Sequence, residues 1–403
     1  MMLAILILLS AMPDTMAAPV VKELFMDRYG ASPQLAQMFN GINLFGALAA
    51  LPLLWIVRRK DRSVSLVVWG SIADAILLGA MALPLGLGWT LVVRALEGVT
   101  DVIVFAALFD LVRRSSRGHV GAGMGIASTP LLVGLGCGAM LGGLVVRQSA
   151  AESSANWLFG LSAILSVAVA GLMILTSRWH ARADAAHLAL ADSNFDTDQA
   201  NTHRDPTWPA LAMTFSDRAT GGLITGTLPI ALAQVFGFSP LARGLLVGLP
   251  LLLMALGTGP SGWLCDRLGS LRVRIGAGIV YAICFALLPI AGDQTVVLGI
   301  VMVLIGLSAS ALFASSMALV IRSGPATMAL GAFRGAGDLG FLSGSVLSVV
   351  LLSSLGGESP TYANYAAVLT IFAGFHALTT VITGIALKIS RRCEPNSINS
   401  AGR

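Results

Sequence analysis

Charge is scarce in this chain. Only 11% of its 403 residues are Asp, Glu, Lys or Arg, against about 25% in an ordinary soluble domain. That shortage rules out a water-soluble shell around a core of normal size. Cysteine is scarce too. Cys137, Cys265, Cys284 and Cys393 stand in no CxxC or other metal spacing, so neither disulfides nor a metal site are expected. No HExxH, GxSxG or phosphate-binding Walker loop occurs at usable spacing, so no enzyme and no cofactor are expected.

Hydrophobic residues make up 56% of the chain and the mean hydropathy is +0.83. The apolar residues fall in repeated runs near twenty residues, each able to cross a hydrocarbon layer of about 30 Å at about 1.5 Å per residue. The first run, "MMLAILILLSAMPDTMAAPVV", lacks a basic leader and a clear small-residue cleavage site, and reads as the first span. Polar and Gly/Pro breaks give twelve helices, at about 2–21, 34–57, 64–86, 88–112, 119–146, 156–177, 209–235, 241–264, 272–291, 295–321, 327–354 and 363–388.

With the N-terminus placed in the cytoplasm, Arg58, Arg59, Lys60, Arg62, Arg113, Arg114, Arg117, Arg178, Arg182, Arg204, Arg267, Arg272, Arg274, Arg322, Lys388, Arg391, Arg392 and Arg403 lie on that side. Lys22, Arg28, Arg147 and Arg243 lie on the other. This excess fits the positive-inside rule, with both termini cytoplasmic in an inner or plasma membrane. It also accounts for the net charge of +5 by topology, so no nucleic-acid partner is expected.

The polar stretch around 178–207 has too little apolar surface to pack and reads as a cytoplasmic linker. It joins units at 1–177 and 208–390, with a tail at 391–403. Within it, "DSNFDTD" imitates a calcium loop but has Thr197 and His203 where Gly and Glu are needed, so it reads as a solvated acidic stretch.

The two halves repeat at an offset near 207 residues. "GASP" (30–33) answers "GFSP" (237–240), and "GVTDVIVFAALFDLVRRS" (98–115) answers "GLSASALFASSMALVIRS" (306–323). Gly125, Gly134 and Gly138 answer Gly331, Gly340 and Gly344. Gly134, Gly138 and Gly142, like Gly244 and Gly248, form bare stripes suited to close helix packing.

In "RALEGVTD" (94–101), Arg94, Glu97 and Asp101 fall on one helical face. The second copy has Met302, Ile305 and Ala309 there, so the fold does not require the charges. The other charged or titratable groups inside apolar spans are Asp14, Asp74, Asp217, Arg218, Arg334, Asp338 and His376. A charge at the bilayer centre costs at least about 2.5–3.5 kcal/mol, so these groups should face water or one another. Asp14, Glu97 and Asp101 are the first candidates for carrying a proton, with Arg94 as their partner and Asp217 next. The rival reading makes Arg94–Glu97 a satisfied structural pair. Arg334 and Asp338, four apart, either pair internally or bind a polar substrate end. Asp74 and His376 read as structural, and Arg218 as counter-ion to an acid on a neighbouring helix. Gly335, Gly337 and Gly340 match G-x-G-x-x-G, but inside an apolar span with no preceding strand the match reads as accidental.

"GWLCDRLGSLRV" (262–273), with Gly262, Asp266, Arg267, Gly269 and Arg272 in register, resembles the loop signature of the major facilitator superfamily. The corresponding loop at 55–66 keeps Asp61 and Arg62 without the glycines. "RALEG" resembles the family's helix-4 pattern, and "GLGCGAMLGG" (134–143) its exchanger pattern on helix 5, with Ala139 where a proline is expected. The resemblance implies an all-α membrane protein with twelve spans in two pseudo-symmetric six-helix bundles. It implies that helices 1, 4, 7 and 11 line a central cavity, and that Asp266 caps the next helix or pairs with an arginine as a conformational latch. The function it implies is alternating-access transport of a small organic solute by a monomer in the lipid bilayer. Proton-coupled efflux is the first reading. Proton-coupled uptake of a sugar or metabolite, or a non-transporting sensor, are the alternatives.

Overall fold

The computed structural model describes residues 1–50, 63–115, 120–146, 151–188, 207–292, 294–322, 326–357 and 359–392. The loop with Asp61 and Arg62, the calcium-like stretch, most of the linker, Cys393 and the tail beyond Arg392 lie outside them. Twelve long helices run through the described residues, which contain no strand. In hydrocarbon every backbone polar group must be satisfied within the segment, which favours the helix throughout.

They are α1 (Met2–Met16, continued by a 3-10 turn at Ala18–Val20 and a π-helical stretch at Lys22–Asp27), α2 (Pro33–Ala49), α3 (Ser63–Ala82) and α4 (Leu87–Ser115). Next come α5 (Val120–Val145), α6 (Ala151–Leu188), α7 (Thr207–Gln234) and α8 (Pro240–Leu268). Last are α9 (Ser270–Ala291), α10 (Thr295–Arg322), α11 (Ala326–Gly356) and α12 (Tyr362–Arg392). Nine of these, among the described residues, are long and apolar enough to cross a membrane. α4 and α7 are not among the nine, because Arg94, Glu97, Asp101, Asp217, Arg218 and the threonines of α7 dilute their apolar runs. α6 continues to Leu188, through residues 178–188 that the sequence reading gives to the linker. "ARADAAHL" is rich in strong helix formers, whose propensity favours carrying the helix on.

The repeat is visible as packing. α1 lies on α5 and α6, α2 on α4, and α3 on α4 and α6; in the second copy α7 lies on α11 and α12, α8 on α10, and α9 on α10 and α12. Between the copies, α5 meets α8 and α2 meets α11, again an equivalent pair.

Matching sequence does matching work. Gly30 (φ 64°) and Gly237 (φ 66°) take the left-handed turns that precede α2 and α8. Ser32 then accepts from Leu35 N–H and Ser239 from Ala242 N–H, each before a proline at the first helical position. Gly134, Gly138 and Gly142 lie against the backbone of α1, as Gly340 and Gly344 lie against that of α7. Gly244 and Gly248 pack on α5 at Ala139, Gly143 and Gly136.

The apolar core is shared at one end only. Around the turns at 28–32, 235–239 and 357–361, a single cluster joins Met16, Val20, Phe25 and Phe39 to Ile224, Leu228, Ile230 and Leu246. Toward the end that carries the N-terminus and the turn at Gly269, the copies have separate clusters: one around Leu6, Ile7, Leu108 and Met173, the other around Ala210, Met213, Leu319 and Leu387. The molecule is zipped at one end and cleft at the other.

Candidate functional site

The cleft holds a cavity of about 290 Å³. Eight helices supply most of its wall, α1, α2, α4 and α5 from one copy and α7, α8, α10 and α11 from the other, and Tyr281 reaches in from α9. This is a wider lining than the four helices implied by the resemblance. The wall is mostly apolar, with Phe105, Phe313, Phe333 and Phe341 among its rings, and its charges are concentrated on α1, α4, α7 and α11.

On the N-terminal copy, Asp14, Arg94 and Asp101 line the cavity. Glu97 does not. It is 1% exposed and sits behind Arg94, whose Nη1 lies 2.7 Å from its Oε2. Asn43 Nδ2 donates to the same oxygen at 2.6 Å. Arg94 is itself buried, with its guanidinium carbon 4.5 Å from the centre of the Phe39 ring. This is the satisfied-pair arrangement. Asp14 and Asp101 have no hydrogen-bond or ion-pair partner among the described residues. Both are within electrostatic reach of each other, of Glu97, of Asp74 and of Arg94.

Behind Asp101 a space of about 10 Å³ is lined by Ser10, Ser71, Asp74 and Ser166. Asp74 accepts from Thr100 Oγ1 at 3.2 Å and from Ser166 Oγ at 2.7 Å, tying α3 to α4 and α6.

The C-terminal copy differs from the sequence reading in its pairing. Asp217 Oδ1 accepts from Arg274 Nη2 at 2.7 Å and faces His376 Nε2 at 2.9 Å. Next to a carboxylate, that ring nitrogen carries the hydrogen. Arg274 and His376 are both fully buried. Arg274, counted from sequence as a loop charge, lies near the start of α9 as counter-ion to Asp217. Asp217 is not an isolated acid, and Arg218, read from sequence as counter-ion to an acid on a neighbouring helix, makes no contact ion pair among the described residues but lies within electrostatic reach of Asp338 on α11. Adjacent residues on a helix point 100° apart, so Asp217 reaches α9 and α12 while Arg218 faces the cavity. There the Arg218 guanidinium has no carboxylate within ion-pair distance among the described residues, and its carbon lies 5.8 Å from the centre of the Phe313 ring.

Gly337, the middle glycine of the accidental dinucleotide match, lies beside Arg218, where a Cβ would sit in ordinary contact at 3.4 Å from Arg218 Cγ. Arg334 and Asp338 pair at 2.8 Å on the α11 wall, with Arg334 56% exposed at the open end.

The opposite end is closed by polar contacts between the copies that the sequence reading missed. Arg243, counted from sequence as a loop charge, is buried. It pairs with Glu23 and donates to Pro19 O at 2.7 Å and Phe238 O at 3.1 Å. Asn40 Nδ2 donates to Thr225 O at 3.1 Å, Thr227 Oγ1 to Gln37 Oε1 at 3.0 Å, and Gln34 to Gly357 O.

The loop signature lies at the open end. Gly269 (φ 88°) makes the α8–α9 turn, its N–H donating to Cys265 O at 2.9 Å, and Arg267 stacks on Trp263 at 3.9 Å. Asp266 does not cap α9, whose first turn has no side-chain cap, and it pairs with no arginine among the described residues. Its carboxylate is exposed on the last turn of α8, beside Gly262 and close in sequence to Arg272. Among the described residues, Cys137 and Cys284 are free thiols.

The sequence profile of the Major Facilitator Superfamily matches residues 3–196 and 210–402. No curated protein sequence matches the chain. Several solved structures share the fold. A bacterial homologue of the human lysosomal transporter Spinster, inward-facing and unoccupied, is 14% identical, with a TM-score of 0.70 over 97% of this chain and 96% of that one. A peptide transporter POT in complex with alafosfalin is 14% identical, with a TM-score of 0.73 over 97% and 94%. A POT family transporter in complex with 5-aminolevulinic acid is 12% identical, with a TM-score of 0.69 over 96% of each chain. Two homologous six-helix bundles around a charged central cavity agree with that match, and the chain belongs to the Major Facilitator Superfamily, as a multi-pass membrane transporter and not an enzyme.

Proposed function

We propose that this chain moves a small organic solute by proton-coupled alternating access, with efflux as its direction. The observation that carries the reading is the pair of carboxyls, Asp14 and Asp101, on the cavity wall with no hydrogen-bond or ion-pair partner among the described residues. An acid that faces both solute and water can exchange its charge for a proton, and the loss of that charge lowers the cost of closing the cavity around it. Arg94–Glu97 serves as the rigid backing of this pair. The proposed moving bodies are residues 1–177 and 208–390, joined through 178–207, with 391–403 as the tail. With both termini in the cytoplasm, the form described is inward-open, and a latch at Asp266 is undone in it. Repeat architectures of this kind bind solute at the interface of the two copies near the bilayer midplane.

Uptake by symport is the second reading, favoured by Ala139 at the position where the exchangers resembled here carry proline. The test is flux in vesicles reconstituted with the full chain, with and without an imposed pH gradient. Solute movement driven by the gradient, lost in Asp14→Asn and Asp101→Asn, is the expected result, and its sign separates efflux from uptake. Flux indifferent to the gradient would remove proton coupling. No flux over a broad solute panel would favour a sensor.

A further inference from the structure

The charges on the cavity wall fall into two kinds. Arg94 is answered by Glu97, Arg334 by Asp338, and Asp217 by Arg274, so none of these needs a solute. Three groups are left over among the described residues: Asp14 and Asp101 on the N-terminal copy, and Arg218 on the C-terminal copy. A guanidinium in a mostly apolar enclosure is costly without an anion, and a carboxylate there is costly without a cation or a proton. The two carboxyls lie on the wall of one copy and the guanidinium on the wall of the other.

From this separation we propose that the solute is an amine–carboxylate zwitterion, its ammonium against Asp14 and Asp101 and its carboxylate on Arg218. This rests on the transporter reading and names the solute class of the same cavity. A cation alone leaves Arg218 unanswered, and an anion alone leaves the acids unanswered; only a solute carrying both signs answers both walls. Phe313, Phe333 and Phe341 also line the cavity on the C-terminal copy, with Phe313 beside the guanidinium. The apolar body of the solute therefore sits toward its carboxylate end. Because the walls belong to different copies, such a solute draws them together by its two ends, which makes the same charges that select it the ones that close the cavity.

The test is equilibrium binding to the purified full chain in detergent, with no gradient, by calorimetry and thermal shift. The probes are matched triplets built on phenylalanine and on alanylphenylalanine: the free zwitterion, its carboxyamide (cation) and its N-acetyl form (anion), with tetraphenylphosphonium as a lipophilic cation. Each zwitterion should bind about ten- to hundredfold more tightly than either of its derivatives, the effect of one charge-assisted contact. Arg218→Gln should erase the margin of the zwitterion over its amide, and Arg218→Lys should keep part of it. Asp14→Asn with Asp101→Asn should erase the margin over the N-acetyl form. Size-exclusion profiles establish that each variant is folded. The proposal is overturned if an amide, an N-acetyl form or tetraphenylphosphonium binds as well as the zwitterions, if Arg218→Gln leaves the margin intact, or if no triplet member binds. Proton coupling is read separately, from flux under a gradient, so either proposal can fail while the other stands.

Discussion

Glu97 and Asp14 are both acids of the N-terminal copy, and their surroundings give opposite expectations for neutralising them. Glu97 answers a buried arginine and accepts from Asn43. Glu97→Gln leaves Arg94 buried without its counter-ion, a loss of about 3–5 kcal/mol for pairs of this kind. The expected outcome is a clearly lowered melting temperature in detergent. Arg94→Met made together with Glu97→Leu should recover much of it, because removing both charges removes the unpaired one. Asp14 has no such partner among the described residues, so Asp14→Asn should leave the melting temperature unchanged or raised while transport changes. Thermal unfolding of the three variants side by side checks this. If Asp14→Asn melts as early as Glu97→Gln, Asp14 is a structural group and not a free one. Asp217→Asn belongs with Glu97→Gln, since it strands Arg274, two of whose nitrogens already lack partners among the described residues.

Among the helices, contact is set by glycines whose neighbours are backbone. A Cβ on Gly98 would run into the carbonyl of Asn43 on α2, and one on Gly344 into that of Ala219 on α7. Nothing lies within 4 Å of a Cβ placed on Gly160 or Gly171 in α6. Gly98→Val and Gly344→Val should therefore sharply reduce the yield of monodisperse protein. Gly160→Ala should be neutral or stabilising by up to about 1 kcal/mol, the helix-propensity difference. Size-exclusion profiles of detergent extracts, followed by thermal melts, decide between these outcomes. At this scale much was legible in the sequence. The apolar runs marked the spans, "GASP" and "GFSP" marked two capped helix starts, and the offset of the glycines marked which helices play equivalent parts. Arg274 was not legible, because an arginine five residues past a loop glycine reads as a topological charge until α7 and α12 supply Asp217 and His376, 57 and 102 positions away in the chain. For the same reason sequence could not tell Arg218 from Arg274 as the partner of Asp217. Only the packing of α9 against α7 decides which guanidinium is spent and which remains free.

For the molecule as a whole, the decisive asymmetry is one shared core at the closed end and two separate cores at the open one. Alternating access requires the closed end to part, so its contacts must be strong enough to hold and few enough to break. The apolar cluster there makes non-directional contact; among the described residues the directional holds are Glu23–Arg243, the bond from Arg243 to Pro19 O, and the hydrogen bonds of Gln34, Gln37 and Asn40. Arg243 keeps two backbone acceptors when Glu23 is neutralised. Glu23→Gln should therefore loosen this end without unfolding it. The expected outcome is a larger population open on the side of the 28–32 turn. A cysteine placed at Gln37, which is 1% exposed, in a chain whose own cysteines are replaced by serine, reports it. A thiol reagent that cannot cross the membrane, added from that side, should label the site several-fold faster in Glu23→Gln. The exchange of Glu23→Arg with Arg243→Glu should slow it again, because the pair is restored with its sign reversed. If neutralising Glu23 leaves labelling unchanged, the ion pair is incidental, and the apolar cluster around Phe25 and Phe39 alone sets how readily the two copies separate.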